Sequence, residues 1–132
     1  MRTRAWHDGM KSLLLIAAGS ACGGVLRHLL GCRVRLLWVG GAFPWHTLLI
    51  NLSGCLVLGF LTGLAERCPG LPQEWRLALT VGLCGGFTTF STFAQENIDL
   101  LRSGSLFLPA AYMALSLIGG LALAALGFCL AR

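Results

Sequence analysis

The sequence predicts an all-α membrane protein with four transmembrane helices in each subunit. Of its 132 residues, 56% are hydrophobic and only 11% are charged, which is more apolar surface than a soluble domain of this size needs. Four apolar stretches account for the excess, and each reaches the roughly 20 residues that cross a bilayer core. They run over residues 12–30, 47–65, 77–100 and 106–131. Because four spans use most of the chain, we expect a single membrane domain over residues 1–132.

The first stretch follows Arg2, Arg4 and Lys11, as the apolar part of a basic leader would. It continues into Arg27, however, and has no clean small-residue cleavage site after a short apolar run. We therefore expect a retained span and not a signal peptide. Small residues along it allow close helix packing, which is the role we expect for them. They are Gly19, Gly23 and Gly24.

The second and fourth stretches begin with recognisable signals. Pro44 suits the start of a helix, and Trp38 and Trp45 suit the membrane interface. Pro109 falls in the first turn of the fourth stretch, where its missing N–H does little harm.

The third stretch contains an interruption at residues 85–93, GGFTTFSTF. Two adjacent glycines and a run of hydroxyl side chains are a poor way to continue a helix through lipid. Non-helical backbone at that depth persists only where protein or a water-filled cavity satisfies its polar groups. A helix broken at mid-membrane in so small a protein therefore indicates an ion or solute site.

Polar residues recur at helical spacing in two other stretches. Thr47, Asn51 and Gly54 fall on one face of the second, and Tyr112 and Ser116 form a short stripe on the fourth. An amide in lipid is costly without a partner, so Asn51 should face protein or water. An interhelical hydrogen bond and a donor lining a pore are both compatible with this pattern.

Phe90 and Phe93 lie one helical turn apart, just after the interruption. Aromatic side chains at this spacing commonly pack, but the positive edge of a ring also suits a small anion. Weak stabilisation of this kind is useful in a pore, because a conducted ion must leave as well as enter. The nearby hydroxyls, including that of Thr92, either bond back to the helix or add to a polar path.

Other groups near the interruption suit ions of either sign. Carbonyls freed from the helix at Gly85 and Thr88 would be oxygen ligands for a small hard cation. Arg27 is the basic residue within a predicted span. It either snorkels to the interface or attracts anions into a vestibule.

Positive charge sets the orientation of a membrane protein, and here its bias is weak. With four spans, one side holds Arg2, Arg4, Lys11, Arg67, Arg76 and Arg132. The other holds Arg33, Arg35 and Arg102, with Arg27 if it snorkels that way. Insertion both ways round, giving an antiparallel pair, and a single orientation with cytoplasmic termini are both open.

Several classes of function are disfavoured. The net charge of +5 comes without a basic run or an aromatic platform, so we expect no nucleic-acid partner. The six cysteines form no C-x-x-C pair, and we expect those within spans to pack as small apolar residues. A proton-coupled exporter needs a mid-span carboxylate or histidine, whereas Glu96 and Asp99 lie in the final turns of the third stretch. No spacing supports a metal cluster or a catalytic Ser/His pair, so we expect no enzyme.

Taken together, these residues resemble the small bacterial fluoride channels known as Fluc or CrcB proteins. The resemblance covers the whole chain, and its most specific part is the motif at residues 85–93. The other matching positions are Gly24, Arg27, Thr47, Leu48, Asn51, Gly54, Tyr112 and Ser116. The chain departs from the pattern at Gly120 and Ala124, where some relatives carry hydroxyls, so the outer part of the fourth-span polar track is in question.

The resemblance implies a dual-topology antiparallel homodimer in the bacterial inner membrane, in contact with lipid, that exports fluoride passively down its gradient. It implies a structural sodium ion at the dimer centre, held by the backbone carbonyls of Gly85 and Thr88, and an anion-attracting vestibule at Arg27. The implied fluoride pathway comprises Thr47, Asn51, Phe90, Thr92, Phe93, Tyr112 and Ser116.

Overall fold

The computed structural model describes residues 2–37 and 41–132, with side chains from residue 9 onward, and these residues form helices and no strand. The elements are α1 (Arg2–Leu37), α2 (Trp45–Arg67), α3 (Gln73–Leu77), a π-helical stretch (Ala78–Cys84), α4 (Gly85–Phe87), α5 (Phe90–Arg102) and α6 (Phe107–Ala131). Trp38, predicted to lie at the interface, is outside the described residues.

Four helical segments are long and apolar enough to cross a membrane, which confirms the predicted four-span, all-α architecture. They cover Gly9–Leu37, Trp45–Arg67, Gln73–Arg102 and Phe107–Ala131. The third span is composite, since it joins α3, the π-helical stretch, α4 and α5. Pro44 directly precedes α2 and Pro109 lies in the first turn of α6, as predicted. Gly104, with φ of 84°, makes the tight turn between α5 and α6.

The spans pack as two helix pairs, each brought together by glycine. The first half of the third span packs on α1, and a Cβ at Gly23 would overlap the carbonyl oxygen of Leu83. The other pair is α2 with α6, where a Cβ at Gly59 would overlap the carbonyl oxygen of Ala124. Backbones this close favour dispersion contacts in a lipid environment. Gly24 has open space around it and does not take part.

The adjacent glycines of the third span do not interrupt its helix. Gly85 has φ of −64° and ψ of −37°, which is ordinary helical backbone. Gly86 instead allows close packing against α1, because a Cβ there would overlap the backbone of Ser20. The helical dihedrals instead end two residues later, at Thr88 (φ −80°, ψ 159°) and Thr89 (φ −147°, ψ 116°), which are extended.

Candidate functional site

A cavity of about 380 Å³ lies beside Thr88 and Thr89, between the third span, α2 and α6. Six of the predicted site residues line it: Asn51, Gly85, Thr88, Phe90, Phe93 and Ser116. The remaining lining is formed mainly by small and apolar side chains. None of the lining residues is Asp, Glu, Lys, Arg or His. The polarity of this cavity therefore comes from dipoles and not from fixed charges.

Asn51 binds the extended backbone directly. Its Oδ1 accepts the N–H of Thr89 at 2.9 Å, and its Nδ2 donates to the carbonyl of Thr89 at 3.2 Å. The interhelical hydrogen bond that the sequence left open is therefore formed, and Asn51 also lines the cavity. An amide nitrogen carries two N–H donors. The second N–H of Asn51 has no partner among the described residues.

The extended backbone also redirects the hydrogen bonds of two N–H groups. In a continuous helix, the N–H groups of Thr89 and Thr92 would bind the carbonyls of Gly85 and Thr88. Here the N–H of Thr89 goes to Asn51, and that of Thr92 goes to Oγ1 of Thr89, at 3.3 Å, as the N-cap of α5. The carbonyls of Gly85 and Thr88 thus lose their intrahelical partners, and they are the pair that the resemblance names as cation ligands.

Arg27 reaches the same place from α1. Its Nη1 donates to the carbonyl of Thr88 at 3.3 Å. A carbonyl oxygen has two lone pairs, so this bond leaves one acceptor direction at Thr88. Backbone carbonyls suit a small hard cation such as sodium better than a transition metal. Within the described part of the chain, no three His, Cys, Asp or Glu side chains are grouped as metal ligands.

Aromatic rings lead from the cavity along α5. The rings of Phe90 and Phe93 have centroids 5.7 Å apart, and that of Phe93 lies 4.9 Å from that of Tyr112. Tyr112 is fully buried, whereas Phe90 is 80% exposed although it lies beside the cavity. An exposed aromatic ring at this position leaves its edge available to whatever covers the open side of the cavity.

Beyond Phe93, two predicted residues meet at a carboxylate. Thr47 donates its hydroxyl to Oε1 of Glu96 at 2.7 Å, and Tyr112 donates to Oε2 at 2.8 Å. The sequence pattern places Glu96 in the final turns of the third stretch and does not identify it as a site residue. It lies midway along α5, one turn after Phe93, and its side chain is only 17% exposed. An acidic residue within a span was itself a signal that could have identified it.

Of the remaining predicted positions, one lines the cavity and the others contact neighbouring parts of the fold. The Oγ of Ser116 is buried and has no partner among the described residues. Thr92 is bonded to the N-cap residue Thr89: its N–H donates to Oγ1 of Thr89 at 3.3 Å, and its own Oγ1 accepts from that hydroxyl at 3.0 Å. Gly120 lies against Cys55, and the Ala124 backbone lies against Gly59, so both positions pack on α2. The polar stripe of α6 therefore ends at Ser116.

Sequence similarity to known proteins identifies the family of this chain. A family model described as "CrcB-like protein, Camphor Resistance (CrcB)" matches residues 14–128. A curated protein of Leptospira interrogans named "Fluoride-specific ion channel FluC" is 41% identical over 121 residues, which are 89% of this chain and 91% of that protein. A protein of the same name from Prosthecochloris aestuarii is 40% identical over 126 residues, covering 96% and 97%. Another, from Methylobacterium nodulans, is 42% identical over 113 residues, covering 86% and 90%. This chain therefore belongs to the CrcB family, a family of ion channels and not of enzymes.

Proposed function

We propose that this protein is a fluoride-selective channel that lets the anion leave the cell passively, down its gradient. The observation that carries the proposal is the cavity at the extended backbone, where Asn51, Phe90, Phe93 and Ser116 meet without a charged side chain. The names of the curated relatives, each a fluoride-specific ion channel, support the choice of ion.

Fluoride is small and strongly hydrated, so a pore that passes it must replace its water with other donors. The unused N–H of Asn51, the unpartnered hydroxyl of Ser116 and the edges of two phenylalanine rings are such donors. Because they carry partial charges, they stabilise the ion without holding it as a lysine would. Past Phe93, the hydroxyls of Tyr112 and Thr47 continue this polar path toward Glu96.

The working unit in this proposal is an antiparallel homodimer of dual topology in the bacterial inner membrane. Phe90 is 80% exposed, and the cavity beside it is open on one side, so a second copy would cover both. The weak bias of basic residues is compatible with insertion in both orientations.

A structural sodium ion at the dimer centre is the corresponding cofactor proposal. Gly85 and Thr88 would hold it through carbonyls that have lost their intrahelical N–H partners, two from each copy. When bound, the ion would neutralise the partial negative charge of these oxygens. The Thr88 carbonyl also accepts a hydrogen bond from Arg27, so one of its two lone pairs would be left for the ion.

The test of the channel function is ion release from liposomes that contain the purified protein. We expect fluoride to leave rapidly while chloride stays trapped, with protein-free liposomes as the control. Equal release of the two anions would contradict selectivity, and no release of either would contradict the channel function.

The assembly and the sodium ion are tested without measuring flux. Light scattering in detergent should give the mass of two 14.0 kDa chains. Replacing sodium by N-methylglucamine should lower the thermal unfolding temperature, because ligands that bind the folded state stabilise it. A monomeric mass would contradict the dimer, and an unfolding temperature insensitive to sodium would contradict the cation site.

A further inference from the structure

His46 occupies the second position of α2, directly before Thr47 and next to the carboxylate at the end of the polar path. Its side chain is 20% exposed and that of Glu96 is 17% exposed, so both are largely removed from solvent. Neither residue was assigned a role from the sequence.

One nitrogen of His46 has two incompatible neighbours. Its Nε2 lies 2.9 Å from Nη2 of Arg35 and 3.2 Å from Oε1 of Glu96. A guanidinium can only donate and an ionised carboxylate can only accept. When the ring is neutral, the Arg35 donor favours the tautomer whose proton is on Nδ1, so that the lone pair of Nε2 accepts from Arg35; when the ring is protonated, the Nε2–H donates to Glu96. Both contacts cannot be favourable in one protonation state.

We propose that His46 is a proton-controlled positioning residue, which binds Glu96 when protonated and Arg35 when neutral, and so sets fluoride flux by pH. This inference rests on the proposed channel function. Histidine is the side chain whose ordinary titration falls in the range of about pH 5–8, where a cell can use such a change.

The protonated state completes the bonding of the carboxylate. Oε1 of Glu96 then accepts from both His46 and Thr47, while Oε2 accepts from Tyr112. The positive imidazolium also balances the negative charge of Glu96. An anion that travels along Tyr112 and Thr47 then meets a nearly neutral group.

The neutral state removes that balance. The lone pair of Nε2 then accepts from Arg35. Glu96 accepts hydrogen bonds only from the neutral hydroxyls of Thr47 and Tyr112. Its negative charge then repels an approaching anion, which lowers flux as pH rises. The charged or titratable groups around His46 are Arg35 from α1, Glu96 from α5 and, through Glu96, Tyr112 from α6.

Protons have access to this switch. A second cavity, of about 170 Å³, is lined by Arg35 and His46 together with Phe43 and Trp45. It lies at the end of the helices near the α1–α2 connection, away from the first cavity. His46 can therefore exchange protons on that side without disturbing the cavity at Thr88.

The test compares fluoride release between pH 5 and pH 8, with equal pH on both sides and the leak of protein-free liposomes subtracted. We expect release by the unaltered protein to be about fivefold faster at pH 5 than at pH 8, since this range covers the ordinary charge change of a histidine side chain. His46→Gln should abolish the pH dependence. The matched control is His28→Gln, because His28 is exposed on α1 and contacts only Cys32 among the described residues. It should keep the pH dependence.

Equal pH dependence in His46→Gln and the unaltered protein would overturn the proposal. Arg35→Gln provides a second, independent test if His46→Gln does not fold. Removing the arginine charge favours protonation of His46, so the midpoint of the pH profile should move upward. An unmoved midpoint would also overturn the proposal. Rapid fluoride release that does not change with pH would contradict only the proposed role of His46. Absence of fluoride release at every pH would contradict the proposed channel function itself.

Discussion

The two halves of the third span use their residues in opposite ways. Before Thr88, the segment contacts α1 mainly through backbone, because Gly82 and Gly86 bring the two helices together. After Thr89, α5 contacts α2 and α6 through side chains, with Phe93 and Glu96 among them. The first half fixes the position of the span and the second half supplies its chemistry. Changes in the first half should therefore affect stability, and changes around the second should affect flux.

The largest expected effect is that of Asn51→Asp. A carboxylate repels fluoride and cannot donate to the carbonyl of Thr89, so fluoride release should fall about 100-fold or more. Ser53→Ala is the matched control on α2, because the Ser53 hydroxyl bonds only the carbonyl of Ile50. Release near the unaltered rate in Asn51→Asp would place Asn51 outside the pathway.

The next effect concerns the first half of the span. Gly23→Ala should lower the free energy of unfolding by about 1–3 kcal/mol, because its Cβ would overlap the carbonyl of Leu83 and lie 2.7 Å from the Phe87 nitrogen. Gly24→Ala is the control, since no atom lies within 4 Å of its added Cβ. Thermal unfolding in detergent measures both. Equal stability of the two variants would show that α1 and the third span are not held this closely.

Phe90→Ile tests the second half. It removes the ring edge but keeps apolar bulk, so fluoride release should fall about 3- to 10-fold while the assembly keeps its mass. Phe107→Ile is the control, because Phe107 is 79% exposed, as Phe90 is at 80%, but does not line the cavity. Similar rates in the two variants would remove Phe90 from the pathway.

The smallest effect is expected for Ser116→Ala. The Ser116 hydroxyl has no partner among the described residues, so its loss should not lower the unfolding temperature. If fluoride uses this donor, release should fall about threefold, the cost of one neutral hydrogen bond. A lower unfolding temperature with unchanged release would assign Ser116 to structure and contradict the division between the two halves.

The sequence predicted the parts of the fold that depend on hydropathy, and six of the fourteen residues that line the cavity are predicted site residues. The sequence predicted an interruption within residues 85–93 but not which of these residues leave the helix, and the reason is physical. Glycine is a poor helix former, yet here the glycines stay helical because a close neighbour on α1 requires the absence of a side chain. Thr88 and Thr89 leave the helix where Asn51 bonds the N–H and carbonyl of Thr89 and Arg27 bonds the carbonyl of Thr88, and those partners depend on tertiary contacts.

The bonding partners of Glu96 and His46 could not be predicted from the local sequence pattern. Each lies near the end of an apolar stretch, where charged and polar residues commonly face headgroups. Their partners come from three other helices, so only the packed structure brings Arg35, Thr47 and Tyr112 to them. The sequence argument against a proton-coupled exporter relied on the absence of such a carboxylate. That rival is now disfavoured by family membership instead.

The way in which Asn51 and Thr89 close the gap in the third span has a consequence for biogenesis. Both hydrogen-bonding groups of the Thr89 peptide unit find partners inside one polypeptide. A nascent chain can thus satisfy this stretch of backbone as it enters the lipid, without contacts from another chain. Membrane insertion of the third span therefore does not depend on assembly.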